Sequence, residues 1–150
     1  MPEMHVNVGG TNKRVTQPYV RVGGAWKSVR IGWVNVAGAW KRFYIRYIAP
    51  TVGLSPLTAT GFGTGVGTVT VTSDPVSSTV FNGEAPFSYQ WAFVSGDNTI
   101  TRTTPTAPST TFSSSVAPNQ TKNATFELTV TDAMNNTATA QVAVQLSNTL

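Results

Sequence analysis

Three copies of one short pattern lie in the first 43 residues, and they constrain the fold more than any other feature of the chain. The copies read HVNVGGTNKRV (5–15), YVRVGGAWKSV (19–29) and WVNVAGAWKRF (33–43), at a period of 14 residues. In each copy, alternating valines precede a glycine, and a lysine and an apolar residue follow it. Such self-similarity at a fixed period is typical of a repeated supersecondary unit.

Each copy is predicted to be a β-hairpin, because an alternating run meets a tight turn and then a second short run. Gly23-Gly24 supplies the positive φ of a two-residue turn, and only the second of these positions is glycine in all three copies. Residues 16–18 and 30–32 are the predicted connections between copies. We therefore expect a meander of about six short strands.

The length of the turn decides which side chains share a face. With a two-residue turn, Arg21 opposes Trp26 and Val20 opposes Lys27. The valines then occupy one face, and Tyr19, Arg21 and Trp26 occupy the other, close enough for the guanidinium to stack on the indole. A three-residue turn would move the second strand by one residue and exchange its faces, and the sequence leaves both alternatives open.

Composition favours β-structure throughout the chain. Charged residues make up only 11% and hydrophobic residues 40% of the 150 residues, while Thr, Ser, Gly and Val are abundant. The absence of cysteine excludes disulfides, thiol catalysis and cysteine-ligated metals. No stretch is apolar for long enough to predict a membrane-spanning segment.

Charge divides the chain into two parts. Residues 1–50 carry eight Lys and Arg against one Glu, a net charge of +7, whereas residues 51–150 carry two against five Asp and Glu, a net charge of −3. Such a division indicates that the two parts meet different partners.

Three regions are predicted along the chain: a basic β-hairpin repeat at 1–48, a linker and first strand at 49–65, and a β-sandwich at 66–150. The uncharged GFGTGVG (61–67) is interpreted as linker, since it lacks the Lys-Ser/Thr of a phosphate-binding loop. The expected sandwich strands are 66–73, 85–96, 109–116, 123–133 and 137–146.

The second part resembles a known family. Three features are similar to immunoglobulin-like domains of the bacterial and phage kind, close to PKD modules: a lone Trp91 at the end of PFSYQW, the LTVTDAMNNTATAQVAV hairpin and the missing cysteine pair. The resemblance implies an immunoglobulin-like sandwich. Such modules commonly decorate tailed-phage virions, on capsids, tail tubes and fibres.

The repeat is similar to short V-x-V-GG-x-W-K-x-V repeats of phage virion proteins, often in tail-tip or fibre-related chains. Together the two resemblances imply a virion structural protein, with a basic repeat that attaches and a sandwich that projects. They imply other tail or capsid proteins and sister copies as partners, and a tail location is preferred over head decoration. Alternatives are a capsid decoration protein and an adhesin that binds host-surface glycans.

The basic, aromatic repeat is the only strong constellation of functional side chains in the sequence. Trp, Tyr and Arg are the residue types that dominate protein interfaces. The same side chains could also contact the phosphates of a nucleic acid and stack on its bases, but nucleic acid is the less favoured partner. The expected partner-binding residues are Tyr19, Arg21, Trp26, Lys27, Trp33, Trp40, Lys41 and Arg42.

Enzymatic chemistry is not expected. His5 is the only histidine, at a position that Tyr19 and Trp33 hold in the other copies, and no carboxylate pair stands out. Asp74, Asp97 and Asp132 are interpreted as turn residues, with calcium binding as the lesser alternative. No catalytic residue, cofactor or metal is predicted.

Overall fold

The computed structural model describes the chain over residues 5–8, 10–15, 17–29, 31–45 and 47–149. Side chains are described over these ranges except at residues 7 and 42–45. Within the described residues all regular structure is β-strand, with sixteen strands in six sheets. The prediction of an all-β protein is therefore confirmed. The chain divides into two compact units, Met1–Tyr47 and Ile48–Leu150.

Six short strands form the described part of the first unit, and each pairs with its neighbour in sequence as an antiparallel hairpin. Hairpins 1, 2 and 3 consist of β1 (His5–Val8) with β2 (Thr11–Arg14), β3 (Tyr19–Val22) with β4 (Ala25–Ser28), and β5 (Ile31–Val36) with β6 (Ala39–Ile45).

The structure differs from the expected meander in one respect. Within the described residues, each hairpin is a separate two-stranded sheet and does not pair with the next hairpin. The residues that link the hairpins bond within hairpin 2. Val29 N donates to the Pro18 carbonyl at 2.9 Å, and Gln17 Nε2 donates to the carbonyls of Pro18 and Val29 at 3.0 and 2.9 Å. These bonds extend hairpin 2 at its open end and do not join it to its neighbours.

Ten strands form the second unit. They are β7 (Thr51–Ser55), β8 (Thr58–Gly63), β9 (Val69–Thr72), β10 (Val76–Phe81), β11 (Ser88–Gly96), β12 (Thr101–Arg102), β13 (Ser109–Thr110), β14 (Phe112–Val116), β15 (Gln120–Thr131) and β16 (Thr137–Asn148).

One layer of this unit is the four-stranded sheet β11-β15-β16-β8. Its centre is the long antiparallel hairpin of β15 and β16, and β8 joins β16 in parallel. Both long strands alternate between buried and more exposed residues, as the period of two predicts. Apolar residues of both strands are buried on the inner face: Phe126, Leu128, Val130, Val142, Val144 and Leu146.

The second layer consists of two three-stranded sheets, β13-β10-β7 and β12-β14-β9. Ser73 lies between β9 and β10, where its N–H donates to the Phe112 carbonyl at 2.8 Å and its Oγ accepts from Phe112 N at 3.0 Å. The side-chain oxygen thus substitutes for a backbone acceptor at the bend. The expected strand 109–116 is divided at Thr111 into β13, which pairs with β10, and β14, which pairs with β9 and β12.

Trp91 lies in the core of the sandwich and is fully buried. Its indole packs edge-on to Phe112 at a centroid distance of 5.9 Å, and Phe112 contacts Phe126 at 4.6 Å. These rings come from both layers, so they join the layers through the largest apolar surfaces in the unit.

Residues 49–65 differ from the expected linker and first strand, because they form two strands of the sandwich, β7 and β8. The glycines here allow close packing. A Cβ on Gly61 would lie 2.5 Å from the Thr72 carbonyl oxygen and 2.9 Å from Leu146 Cδ2. Glycine therefore marks a point where β8 meets a neighbouring backbone, which composition alone does not distinguish from a flexible linker.

Candidate functional site

The turns of the N-terminal hairpins have the geometry that two-residue connections require. Gly23 and Gly24 have φ values of 59° and 82°, and Ala37 and Gly38 have 51° and 84°. Positive φ at both central positions is the signature of a type I′ turn, whose twist suits adjoining strands. In hairpin 3, Asn35 Oδ1 accepts from Gly38 N at 2.9 Å, which ties the turn to β5.

The pairing in hairpin 2 decides between the two alternatives for its faces. Val22 lies opposite Ala25, Arg21 opposite Trp26, and Val20 opposite Lys27. Opposed residues share a face, so Arg21 and Trp26 lie together and Lys27 lies with the valines. The predicted binding residues of this hairpin are therefore divided between two faces.

The guanidinium of Arg21 also bonds within its own hairpin. Arg21 Nε donates to the Gly24 carbonyl at 3.4 Å. This contact holds the side chain near the turn, on the face that Trp26 shares. The Arg21–Trp26 pair was the expectation for a two-residue turn. The bond to the turn was not predicted, because a long side chain can reach several acceptors.

Hairpin 3 has the same arrangement. Trp33 lies opposite Arg42 and Asn35 opposite Trp40, while Val34 lies opposite Lys41. The side chain of Arg42 lies outside the described residues, so only its register position is known. The pairing shifts between Gly32 and Trp33, and a bulge of this kind increases local twist.

Hairpin 1 keeps the valine face and lacks the aromatic one. Val6 pairs with Lys13 and Val8 with Thr11, but His5 and Asn12 occupy the positions of the aromatic residues. The aromatic side chains are therefore brought together in hairpins 2 and 3 only.

Apolar side chains are exposed on both faces of hairpins 2 and 3. Trp26 and Trp40 are 69% and 68% exposed, and Tyr19 is 59% exposed. Two-stranded sheets are marginal when isolated, and exposed Trp and Tyr are the residue types that anchor interfaces. This arrangement suits binding to a protein surface.

An ion pair on the sandwich joins a loop to its strands. Lys122 Nζ lies 3.6 Å from Asp97 Oδ2 and donates to the hydroxyls of Thr99 and Ser114. Hydrogen bonds from the Thr99 side chain and backbone, and then the nearby Lys122, lower the pKa of Asp97 from its ordinary value. The contacts are local and serve the fold.

Asp132, another carboxylate considered for calcium, accepts hydrogen bonds from backbone N–H groups. Asp132 Oδ1 accepts from the N–H groups of Met134 and Asn136, both at 2.9 Å, and Oδ2 accepts from Glu84 N at 3.2 Å. These bonds fix the turn between β15 and β16, where the sequence predicted it. Within the described ranges, no group of three His, Asp or Glu side chains is arranged to hold a metal ion.

A shallow groove of about 320 Å³ on the sandwich was not predicted from the sequence. It follows a bulge in β11, where the pairing shifts between Phe93 and Ser95. Its lining is uncharged and includes Thr58, Ser95, Asn123, Thr125, Ala143 and Gln145. Bulges depend on local pairing, so a pattern of alternating residues does not reveal them.

No helix in the described parts of the chain has the length and hydropathy needed to cross a bilayer. No curated protein matches the sequence.

Solved structures that are similar to the chain share little sequence identity with it. A nucleoside hydrolase-related hypothetical protein from Saccharophagus degradans, associated with carbohydrate metabolism, has a TM-score of 0.43 and 12% identity over 69% of this chain. The match covers 26% of that protein, so the present chain spans about a quarter of it.

The PKD domain of human KIAA0319 has a TM-score of 0.41 and 15% identity, over 79% of this chain and 95% of that domain. A conjugative transposon lipoprotein from Bacteroides eggerthii has a TM-score of 0.35 and 13% identity, over 64% of this chain and 96% of that one.

The family model described as K319L-like, PKD domain matches residues 66–146. This range runs from the approach to β9 through most of β16, and it contains Trp91 and the β15–β16 hairpin. Since the match covers more than half of the sequence, the chain belongs to the K319L-like PKD domain family.

Proposed function

We propose that the chain is a structural protein of a tailed-phage particle. It docks on the particle through its N-terminal hairpins and displays its PKD sandwich. The observation that carries the proposal is the exposure of Trp26 and Trp40 at equivalent positions of two hairpins. Full burial of each indole would contribute about 2–3 kcal/mol to binding, which an isolated hairpin cannot gain by itself.

The charge of the two units supports this division of roles. The hairpin region carries a net charge of +7, and the rest of the chain carries −3. A basic, aromatic surface suits an acidic protein partner, because Lys and Arg at an interface favour carboxylates across it. Neighbouring virion proteins, with sister copies beside them, are the partners in this proposal.

The similarity of V-x-V-GG-x-W-K-x-V to repeats of phage tail-tip and fibre-related chains supports a place on the tail. The PKD domain supports the proposal of a displayed module, but it does not distinguish a location on the tail from one on the capsid. Separated heads and tails from purified particles would distinguish the two locations by the fraction that retains the chain.

The test is incorporation of the double variant Trp26→Ala, Trp40→Ala into particles of the phage that encodes the chain. We expect loss of the chain from purified particles, because two interface anchors are removed. The urea unfolding midpoint of the sandwich should not change. The matched control is Phe62→Ala, which removes a similarly exposed aromatic ring from the sandwich and should leave incorporation normal.

Normal incorporation of the double tryptophan variant would refute docking through this surface. Absence of the wild-type chain from particles, with adhesion of the purified chain to host cells, would instead support the adhesin alternative.

A further inference from the structure

The two faces of the N-terminal hairpins differ in how strictly they recur. One face pairs a valine with a lysine at the same register in all three hairpins: Val6 with Lys13, Val20 with Lys27, and Val34 with Lys41. A second valine lies opposite a small residue beside each pair. We call this surface the valine–lysine face. Its six valines are Val6, Val8, Val20, Val22, Val34 and Val36.

The opposite face varies from hairpin to hairpin. His5, Tyr19 and Trp33 are equivalent there, and so are Asn12, Trp26 and Trp40. The hairpin fold itself therefore tolerates different side chains at these positions. The recurrence of valine and lysine on the other face calls for a reason beyond hairpin formation.

Burial within the chain does not supply that reason. The six valines are all exposed, within the narrow range of 44–51%. The same exposed side chains therefore occur at equivalent positions of all three hairpins. Three like surfaces fit a partner that presents one surface three times.

We infer that the valine–lysine faces bind a repeated acidic and apolar surface on one symmetric protein assembly, one hairpin to each copy of the surface. The inference rests on the proposed docking function, and it adds the chemistry and the repetition of the partner. The tryptophans then add contacts to hairpins 2 and 3, while the valine–lysine face acts in all three.

The chemistry of the face favours protein over nucleic acid. Valine has no ring to stack on a base and no group to hydrogen-bond to a base edge. It can bury its methyl groups against an apolar surface, and the neighbouring lysine adds a cation that suits a carboxylate. The hairpin region of a second copy is a poor occupant, since both surfaces would carry the same positive charge.

The short connections limit the spacing of the partner's sites. Arg14 and Tyr19 can be at most about 17 Å apart along an extended chain, and Ser28 and Ile31 about 10 Å. With half a strand on each side, neighbouring sites must recur within roughly 20 to 30 Å. Such linkage makes the second and third contacts intramolecular, so three weak faces together bind firmly.

The test is a competition for incorporation between the tagged full-length wild-type chain and tagged variants expressed with it. Each variant changes both valines of one hairpin to threonine, for example Val6→Thr with Val8→Thr, because threonine keeps the branched β-carbon and adds a hydroxyl. We expect each double variant to lower the ratio of variant to wild type in particles roughly tenfold.

The effect should be similar for all three hairpins, including hairpin 1, which has none of the tryptophans. The matched control is Val66→Thr with Val94→Thr on the sandwich, which should leave the ratio near one. Valine-to-isoleucine variants of the same hairpin positions should also incorporate normally. They keep the face apolar, and so separate a lost contact from a lost hairpin.

Normal incorporation of the hairpin 1 variant would overturn the inference while leaving docking through the tryptophans intact. Absence of the wild-type chain from particles would overturn both. Binding to a labelled 20-base-pair DNA duplex supplies a separate arm, measured by anisotropy at low and high salt. One result of this arm would also overturn the inference. In that result, Lys13→Gln, Lys27→Gln and Lys41→Gln abolish both DNA binding and incorporation, while the valine variants leave DNA binding unchanged.

Discussion

At the scale of single residues, Trp91 combines two kinds of stabilisation. Its ring is fully buried against Phe112, and its Nε1 donates to the Ala107 carbonyl at 3.0 Å. The hydrogen bond ties the segment before β13 to the core. A buried indole needs such an acceptor, since an unpaired N–H inside the sandwich would cost about 1–3 kcal/mol.

We predict that Trp91→Phe destabilises the sandwich by about 2–3 kcal/mol. The smaller ring leaves a cavity, and the Ala107 carbonyl loses its donor. Urea unfolding followed by circular dichroism measures the change. Trp26→Phe is the control, because that indole is exposed, and its midpoint should match the wild type. Equal midpoints for the two variants would contradict the central place of Trp91.

Asp97 gives a prediction about pH. Its pKa is lowered in the folded protein by the hydrogen bonds from Thr99 and by Lys122. A lowered folded pKa stabilises the protein above the ordinary carboxyl pKa of about 3.9, and the contribution is lost as pH falls through the folded value. Asp97→Asn should therefore be less stable than the wild type at pH 7, with the difference closing below about pH 4.

Urea midpoints of both proteins at pH 7, 4, 3 and 2 would measure this dependence. A difference that stays constant across the series would show that the lost stability comes from packing and not from the charge of Asp97.

At the scale of strands, Gly61 shows how a glycine in β8 allows close packing. We predict that Gly61→Ala destabilises the sandwich by about 1–3 kcal/mol, since its methyl group would overlap the Thr72 carbonyl. Gly67→Ala is the matched control. A Cβ there meets nothing within 4 Å, so its urea midpoint should stay close to that of the wild type. Tolerance of both changes would restore the interpretation of this segment as linker.

The long strands could be predicted from the sequence because their pattern is local. Phe126, Leu128 and Val130 alternate with polar residues, and that alternation places them on the inner face of β15. Strands β8 and β10 were not predicted. Gly61 and Gly63 give β8 the composition of a linker. Residues 76–81, which form β10, have serine and threonine where a clear apolar alternation would be expected. Their pairing depends on partners distant in sequence.

The geometry of the candidate site could be predicted only in part from the sequence. Gly23-Gly24 indicated a hairpin, but the turn length that sets the faces had to come from the structure. With the pairing known, Lys27 and Lys41 lie with the valines and not with the tryptophans. The separation of the hairpins into three sheets was not predicted either, because bonds such as Val29 N to the Pro18 carbonyl cannot be inferred from the apolar pattern.

At the scale of the whole molecule, the two units place their apolar residues in opposite ways. The sandwich buries its large side chains in one core, whereas the described hairpins leave theirs exposed. The proposed docking through the hairpins relies on this difference, because exposed apolar surface favours association. The sandwich must then fold from its own contacts.

We predict that a chain of residues 48–150 folds cooperatively, with a urea midpoint close to that of the sandwich in the full-length protein. A chain of residues 52–150 should be less stable by about 1–3 kcal/mol. It lacks the Ile48 carbonyl, which accepts from Gly83 N at 2.9 Å, and it lacks the buried Pro50 and the pairing of Thr51 with Phe81. Sedimentation and urea unfolding of both chains measure this difference. An unfolded 48–150 chain would show that the sandwich needs the hairpin unit, and equal midpoints would show that its first strand contributes little.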